Sequence, residues 1–365
     1  MEAVHTAERL KELQALPLER KVLITQTRII EWYQRWKGDV AISFSGGKDS
    51  TVLLHLVRQL YPDVKAVFAD TGLEYPEIKE FVKRQDNVEI VRPKVRFDEV
   101  IRKNGYPLVG KEVANAIYYA RKQTKCSYNL RRKKFLGDVT AIGENSIFDY
   151  SRWKLLAQGM PFMVGDRCCL IQKKQPLKIF KHNYVGVLAE ESALRKQTWT
   201  KTGCNSFEGK ALHSWPMAFW TEQDVLTYLV DNDIEIASVY GDIVSVDNDG
   251  CEYDAKNVLG VGTHLKCTGC SRTGCVYCGF GFHLEKGETR FQRLAKTHPR
   301  LYEYAIGGGE WADNPAYDPT AAEYDGEWKN WNPKQIWMPN KKGLGMGKVF
   351  DMVNEIYGKD FYRYE

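Results

Sequence analysis

Several signatures that would settle the class of this chain outright are missing. No apolar run approaches the roughly 18 residues that a membrane span needs. Met1 to Trp36 lacks the basic, apolar and small-residue order of a secretory leader, so a cytoplasmic chain without membrane attachment is expected. There is no internal repeat and no low-complexity tract. The seven histidines supply no His-x-x-x-His pair, and no serine triad stands out. Neither sign of charge dominates: 52 Lys and Arg stand against 47 Asp and Glu, a net charge of +5. The pI near 8.5 falls short of a dedicated nucleic-acid module, usually above about 9. An anionic partner is permitted but not required. With 43% hydrophobic and 27% charged residues, whole-chain disorder and fibrous architecture are excluded. The 365 residues allow one large core with additions, or two domains.

What is present begins with amphipathic spacing. Leu23, Thr27, Ile30 and Tyr33, with Ile29, Trp32 and Trp36, recur at three and four residues, so Leu10 to Trp36 reads as one or two helices over a core edge. A short apolar strand, Val40 to Phe44, is followed by a glycine turn and a helix, Ser50 to Leu60. Further strands are expected at Val64 to Ala69, Val88 to Val91 and Tyr184 to Leu188. Strands alternating with helices predict an α/β fold: a doubly wound parallel sheet with helices on both faces. Ligands of such sheets bind at the carboxyl ends of the strands, where the loops Ser43–Ser50 and Asp70–Glu74 lie. Gly307 to Lys342, rich in Trp, Tyr, Pro, Asn and Gly, reads as loop-dominated. Met346 to Tyr357 reads as a final amphipathic helix.

Ser43-Phe44-Ser45-Gly46-Gly47-Lys48-Asp49-Ser50-Thr51 joins the first strand to its helix. Two glycines permit a tight turn and close backbone approach. Amides at the helix start favour an anion, and the Ser45, Ser50 and Thr51 hydroxyls add donors. Neither the Walker pattern nor G-x-G-x-x-G can be written on this loop. The Ser-Gly-Gly-Lys-Asp-Ser string resembles the PP-loop of the ATP pyrophosphatase superfamily. That superfamily includes phosphoadenosine phosphosulfate (PAPS) reductases, tRNA-thiolating enzymes and DNA-phosphorothioation sulfurtransferases. Asp70-Thr71-Gly72 is similar to the adenosine-lining edge of the PAPS reductase branch. Gly186, Glu191, Ser192 and Arg195 look like that branch's Gly…Glu-Ser…Arg segment. The resemblance covers roughly Asp39 to Phe282 and implies a Rossmann-like PP-loop fold. It implies nucleotide contacts from Ser43, Ser45, Gly46, Gly47, Lys48, Asp49, Ser50, Asp70, Thr71, Gly72, Gly186, Glu191 and Ser192. Arg195 would reach a phosphate or sulfonyl group; a helix-surface salt bridge is the plainer alternative. Four regions are expected: a helical extension at 1–36, the nucleotide-binding domain at 37–245, a cysteine-rich segment at 246–285 and an aromatic-rich extension at 286–365.

The nine cysteines point to metal or redox chemistry before disulfides. Cys126 and Cys204 read as inert thiols, and Cys251 is ambiguous. Cys267-x2-Cys270-x4-Cys275-x2-Cys278 has the spacing of a single metal centre, zinc or iron–sulfur. The adjacent Cys168 and Cys169 compete with it. They resemble one half of the 4Fe–4S site of adenylylsulfate (APS) reductases, and Cys275 and Cys278 fit the other half. Cys168, Cys169, Cys275 and Cys278 are therefore the expected cluster ligands. The alternative quartet is Cys267, Cys270, Cys275 and Cys278. In the first case Cys267 and Cys270 remain as a redox or sulfur-carrying pair, with the lowered pKa common in Cys-x-x-Cys.

Two mechanisms follow. In one, the loop grips the β,γ-pyrophosphate of ATP, Mg²⁺ bridges it with Asp49 and Lys48 assisting, and an adenylated acceptor receives sulfur. In the other, PAPS or APS is reduced to sulfite by a thiol. Sulfonucleotide reductases carry a nucleophilic cysteine in a late Glu-Cys-Gly segment; no cysteine follows Cys278 here, so Cys267 or Cys270 would have to serve. A third reading is a non-catalytic nucleotide-binding subunit of a nucleic-acid modification or defence complex. The basic run Arg121, Lys122, Lys125, Arg131, Arg132, Lys133 and Lys134 could meet a tRNA or DNA backbone, or be a solvated face. Trp311, Trp328, Trp331 and Trp337 could stack bases, though packing is the plainer reading. A sulfur-donor protein and an oligomer are both compatible with the sequence.

Overall fold

The computed structural model describes residues 5–122, 128–143, 148–208, 212–256 and 262–365. The chain forms two compact units, each discontinuous in sequence: Met1–Arg92 with Gln175–Gly274, and Pro93–Lys174 with Cys275–Glu365. This cuts across the linear four-part division expected from composition.

The first unit is built on a six-stranded sheet. Its order is Val88–Val91, Ala66–Ala69, Ala41–Ser43, Asn183–Val185, His213–Ser214 and Asn205–Ser206. Every neighbouring pair is parallel except the last. Ile42 registers against Ala66 on one side and Tyr184 on the other. Ala41, Ile42, Ala66 and Val67 are buried, which explains why these strands read as continuous apolar runs rather than alternating ones. Strand order reverses at Ala41–Ser43, so the loop after it opens at a topological switch point. That loop leads into the helix Lys48–Leu60.

The N-terminal helices Ala7–Gln14 and Leu18–Arg35 belong to this unit's core rather than forming an appendage. Ile29 and Trp32 have no exposed surface. The Tyr184 hydroxyl donates to the Ile29 carbonyl at 2.8 Å, and the Trp220 indole donates to Thr25 Oγ1 at 2.8 Å. Lys21, 2% exposed, meets Asp224 at 2.6 Å. A buried ammonium without that carboxylate would be strongly destabilising.

The second unit gathers the helices Lys111–Arg121, Tyr128–Leu136, Arg290–Thr297 and Met346–Tyr357, among others. Its core is aromatic: Phe282 stacks on Tyr362 at 5.2 Å and packs against Phe291 and Phe350. Leu108–Val109 pairs in parallel with Gly279–Phe280. The aromatic-rich stretch is more ordered than expected. Glu310–Asp313 pairs antiparallel with Gln335–Met338, and Trp328 is buried while Trp311 is exposed. No helix among the described residues is long and apolar enough to cross a membrane.

Candidate functional site

The loop after Ala41–Ser43 is shaped by two glycines with different duties. Gly46 has φ +71°, and a Cβ there would lie 2.8 Å from both Ile78 Cγ2 and Val82 Cγ2. Backbone and space therefore both demand glycine. Gly47 caps the helix Lys48–Leu60, with the Tyr240, Ser45 and Thr273 hydroxyls close around it. Ser50 Oγ and Thr51 Oγ1 donate to the Gly47 carbonyl at 2.9 and 3.0 Å. Ser50 Oγ also accepts the Ser45 amide at 3.2 Å. Two of the hydroxyls expected to serve a ligand thus also fix the turn. The Lys48 amide donates to the Tyr240 hydroxyl at 3.2 Å, which bonds Thr273 Oγ1 at 2.6 Å.

Lys48 and Asp49 open onto a cavity of about 290 Å³ lined also by Leu188, Glu190, Glu191, Glu222 and Arg272. Two cations there face four carboxylates. Lys48 is nearly buried; its ammonium lies 3.1 Å from Glu222 Oε1, 3.2 Å from the Ser271 carbonyl and 3.8 Å from Asp49 Oδ2. Burial pulls its pKa down, but Asp49 and Glu222 outweigh burial and hold it above the ordinary value. Burial raises the Asp49 carboxyl; Lys48 opposes this and Glu191 adds to it. Asp49 Oδ1 is buried with no hydrogen-bond partner, a costly arrangement unless a ligand uses that oxygen.

The flanking segments are less available than their resemblance implies. Thr71 donates through its hydroxyl to Glu74 Oε1 at 2.7 Å and through its amide to Oε2 at 3.1 Å. Asp70 pairs with Lys79 at 2.9 Å and Arg92 at 3.2 Å; these outweigh its burial and hold its carboxyl below the ordinary range. Gly72, at φ +75°, faces open space. A Cβ on Gly186 would sit 3.0 Å from the Asp49 carbonyl, so this glycine lets the strand end approach the helix start. Ser192 caps the helix Ala193–Thr202 by accepting the Arg195 amide at 3.2 Å. Arg195 and Arg272 both pair with Glu191, so Arg195 takes the salt-bridge arrangement. Tyr240, Glu190, Glu222, Arg272 and Thr273 were not singled out by motif. Arg272 and Thr273 lie inside the cysteine knuckle and Glu190 inside the Gly186–Ser192 string; Tyr240 and Glu222 reach the loop from distant sequence with no motif to mark them.

The two Cys-x-x-Cys pairs fall in different units, at Gly274 and Cys275. Cys267 ends the strand His264–Cys267. Its loop is tied down by the Gly269 amide to the Tyr240 carbonyl at 2.8 Å and the Cys270 amide to the Val239 carbonyl at 2.9 Å. The lowered pKa expected of this motif is not found at Cys267. Burial pushes it up to about 11, with Lys48 acting against that and Glu222 and Asp49 with it.

In the second unit one helix organises the other cysteines. Asn115 of Lys111–Arg121 donates to both oxygens of Asp166 at 3.1 Å, and Tyr119 bonds Arg167. This pins the segment that delivers Cys168 and Cys169, just ahead of a π-helical turn, Leu170–Lys174. Gly279 registers against Leu108, placing Cys278 by the start of the same helix. Arg290 donates to the Cys278 carbonyl at 3.0 Å. The Cys168 thiol is raised by its hydrogen bond with Cys169, then by burial and by Cys169, Cys278 and Cys275. The Cys169 thiol is lowered by that bond to Cys168 and by Lys111 and Lys173, against burial. The four thiols thus share one neighbourhood with lysines beside it. Among the described residues no three His, Cys, Asp or Glu side chains converge tightly enough for a single metal ion.

Cys204 is buried and its pKa raised by that burial to about 11; Cys251 is exposed. Cys126 and Lys125 lie outside the described residues. Of the remaining basic run, Arg121 donates to the Leu156, Ala157 and Phe162 carbonyls. Arg132 is buried against Asp325 at 2.8 Å and Asn330. These two arginines hold the fold and offer nothing to a phosphate backbone. Lys133 is exposed.

Residues 39–108 match the phosphoadenosine phosphosulfate reductase domain family. An adenosine 5'-phosphosulfate reductase of Staphylococcus epidermidis is 26% identical over 212 residues, covering 56% of this chain and 67% of that one. An uncharacterized protein of Methanocaldococcus jannaschii is 23% identical over 294 residues, covering 78% of this chain and 51% of that one. A solved phosphoadenylyl-sulfate reductase of Candida auris, in a phosphate complex, covers 64% of this chain and 90% of its own at 14% identity. Its TM-score of 0.32 leaves the fold to be argued from this chain alone.

Proposed function

From a chain that belongs to the PAPS reductase-like family of the PP-loop superfamily, we propose an enzyme that binds ATP with Mg²⁺ and adenylates an acceptor for sulfur transfer. The observation that carries this reading is the loop Ser45–Thr51 at the switch point, with an unpartnered Asp49 oxygen beside the buried Lys48. The helix-start amides and Lys48 bind the β,γ-phosphates. Asp49 Oδ1 offers one carboxylate to Mg²⁺, which favours few protein ligands plus phosphate oxygens. An acceptor oxygen attacks the α-phosphorus, the bond to the bridging oxygen breaks, and pyrophosphate leaves with that electron pair. The chain's part is orientation and stabilisation of charge on the leaving group.

Cys168, Cys169, Cys275 and Cys278 fit a 4Fe–4S cluster better than one ion: four thiols in one neighbourhood, with Lys111 and Lys173 offsetting thiolate charge. Such a cluster would supply electron or sulfur chemistry. Zinc in the quartet with Cys267 and Cys270 is the weaker reading, because burial holds the Cys267 thiol protonated among Lys48, Glu222 and Asp49. The acceptor, tRNA, DNA or a small molecule, and a sulfur-donor protein remain part of the proposal.

A second reading has its own support. The Staphylococcus relative is a sulfonucleotide reductase, and Cys267 stands within electrostatic reach of Lys48. Its protonated thiol suits it poorly as the attacking group at neutral pH. Anaerobic calorimetry with Mg·ATP, PAPS and APS, coupled to a pyrophosphate assay, separates the two. Preference for Mg·ATP with pyrophosphate release supports adenylation. Preference for a sulfonucleotide with sulfite release replaces it.

A further inference from the structure

We propose that Glu222 is a specificity-determining residue of this site, selecting a polyphosphate that carries a divalent cation over a metal-free anion. The inference rests on the nucleotide reading above and deepens it. Glu222 is the first residue of the helix Glu222–Asp231. That helix start is locked three ways. Thr221 and Asp224 form a reciprocal capping box, Asp224 is anchored by buried Lys21, and the Glu222 amide donates to Glu190 Oε1 at 2.6 Å. The backbone therefore holds Glu222 in place while its side chain, half-exposed, pairs with Lys48 at 3.1 Å.

Lys48 is the loop's own cation, and its side chain is 5% exposed. Its other contacts are the Ser271 carbonyl and, more distantly, Asp49. A phosphate or sulfate that takes Lys48 must outcompete Glu222 for it. Among the described residues the one other cation lining the cavity, Arg272, already pairs with Glu191. The incoming anion would then face Glu190, Glu191, Glu222 and Asp49 at close range in a small cavity, where like charges repel strongly. An anion that brings its own Mg²⁺ converts the same carboxylates from opponents into neighbours of a cation. A metal-free phosphosulfate gains nothing from them. No local motif announces this; it arises because a distant helix points its first side chain at the loop.

The test is equilibrium binding of Mg·ATP, of ATP with EDTA, and of APS to the wild-type chain and to Glu222→Gln, with thermal melting as a check on folding. Glu222→Gln keeps size and hydrogen bonding at a half-exposed position, so it folds. In the wild type, Mg·ATP should bind more than about tenfold tighter than ATP with EDTA. In Glu222→Gln the metal-free ligands should gain roughly tenfold and that ratio should shrink to within about threefold. Glu190→Gln, one bond removed from Lys48, should shift the ratio the same way but less. An unchanged ratio in Glu222→Gln, with Mg·ATP still binding, overturns this inference and leaves the nucleotide reading standing. Failure of the wild type to bind Mg·ATP at all overturns both.

Discussion

Cys267-x-x-Cys270 and Cys275-x-x-Cys278 have the same spacing and opposite settings. The first is tied to the 238–242 turn by backbone bonds and shares its surroundings with Lys48, Glu222 and Asp49. The second shares its surroundings with Cys168, Cys169 and Lys111. At Cys267 burial keeps the thiol protonated, with Glu222 and Asp49 adding to it against Lys48. In the second setting burial also raises Cys278, while the bond to Cys168 and the charges of Lys111 and Lys173 bring Cys169 down towards its thiolate. Spacing alone cannot assign a knuckle its chemistry; the charges that tertiary structure brings to it can.

The sharpest way to break that comparison is all-or-none. Cys169→Ser should abolish bound iron and the visible absorbance of a cluster in anaerobically purified protein. Cys267→Ser should leave both unchanged. Loss of iron in Cys267→Ser with none in Cys169→Ser would restore the compact quartet as the metal site. Next in size is Asp49→Asn. It removes the charge of the unpartnered carboxylate but keeps its shape, and should lower pyrophosphate release by about 10³-fold. Melting should be unaltered or slightly improved, because a buried charge is being removed.

A smaller effect follows from the raised Cys267 pKa. Burial disfavours the thiolate, so at pH 8 Cys267 is almost wholly protonated, and the thiolate grows as pH rises towards about 11. Alkylation of Cys267, followed by peptide mapping, should be roughly thirtyfold slower at pH 8 than for an unperturbed thiol. The scarcity of thiolate is partly offset by its greater nucleophilicity. The rate should climb steadily between pH 8 and 11. Reaction as fast at pH 7 as at pH 9 would show an activated thiol and revive Cys267 as the nucleophile of a reductase.

The central strands and the loop Ser43–Thr51 were legible because local sequence determines them: apolar runs, a glycine with positive φ, a helix start. Met346–Tyr357 was legible by its periodicity. The environment of that loop was not, because Tyr240 and Glu222 come from separate segments with no spacing to mark them, and Glu190 stands unmarked beside Glu191 within the Gly186–Ser192 string. Resemblance named Thr71, Ser192 and Arg195 as ligands. The structure spends Thr71 on Glu74, Ser192 on a helix cap and Arg195 on Glu191. At 121–134 composition does not tell which cations are free: Arg121 is committed to carbonyls and Arg132 to Asp325. A charge run records ionisable residues, not which of them the fold has consumed.

Tyr240 gives the smallest and most discriminating prediction. Its hydroxyl accepts the Lys48 amide and bonds Thr273, so it joins the loop to the segment that follows Cys270 within the first unit. Tyr240→Phe keeps the packed ring and deletes only the hydroxyl. Each such bond is worth about 1 kcal/mol and the hydroxyl makes two, so stability should fall by about 2 kcal/mol in urea unfolding. The Lys48 amide, no longer engaged by Tyr240, becomes one more donor for a phosphate at the helix start. If the hydroxyl only braces the loop, Mg·ATP should bind a few-fold more weakly. If it occupies a place that a phosphate oxygen takes, Mg·ATP should bind as well or better despite the lost stability. Opposite signs for stability and affinity would mark Tyr240 as a stand-in for the ligand. Matching signs would mark it as scaffold.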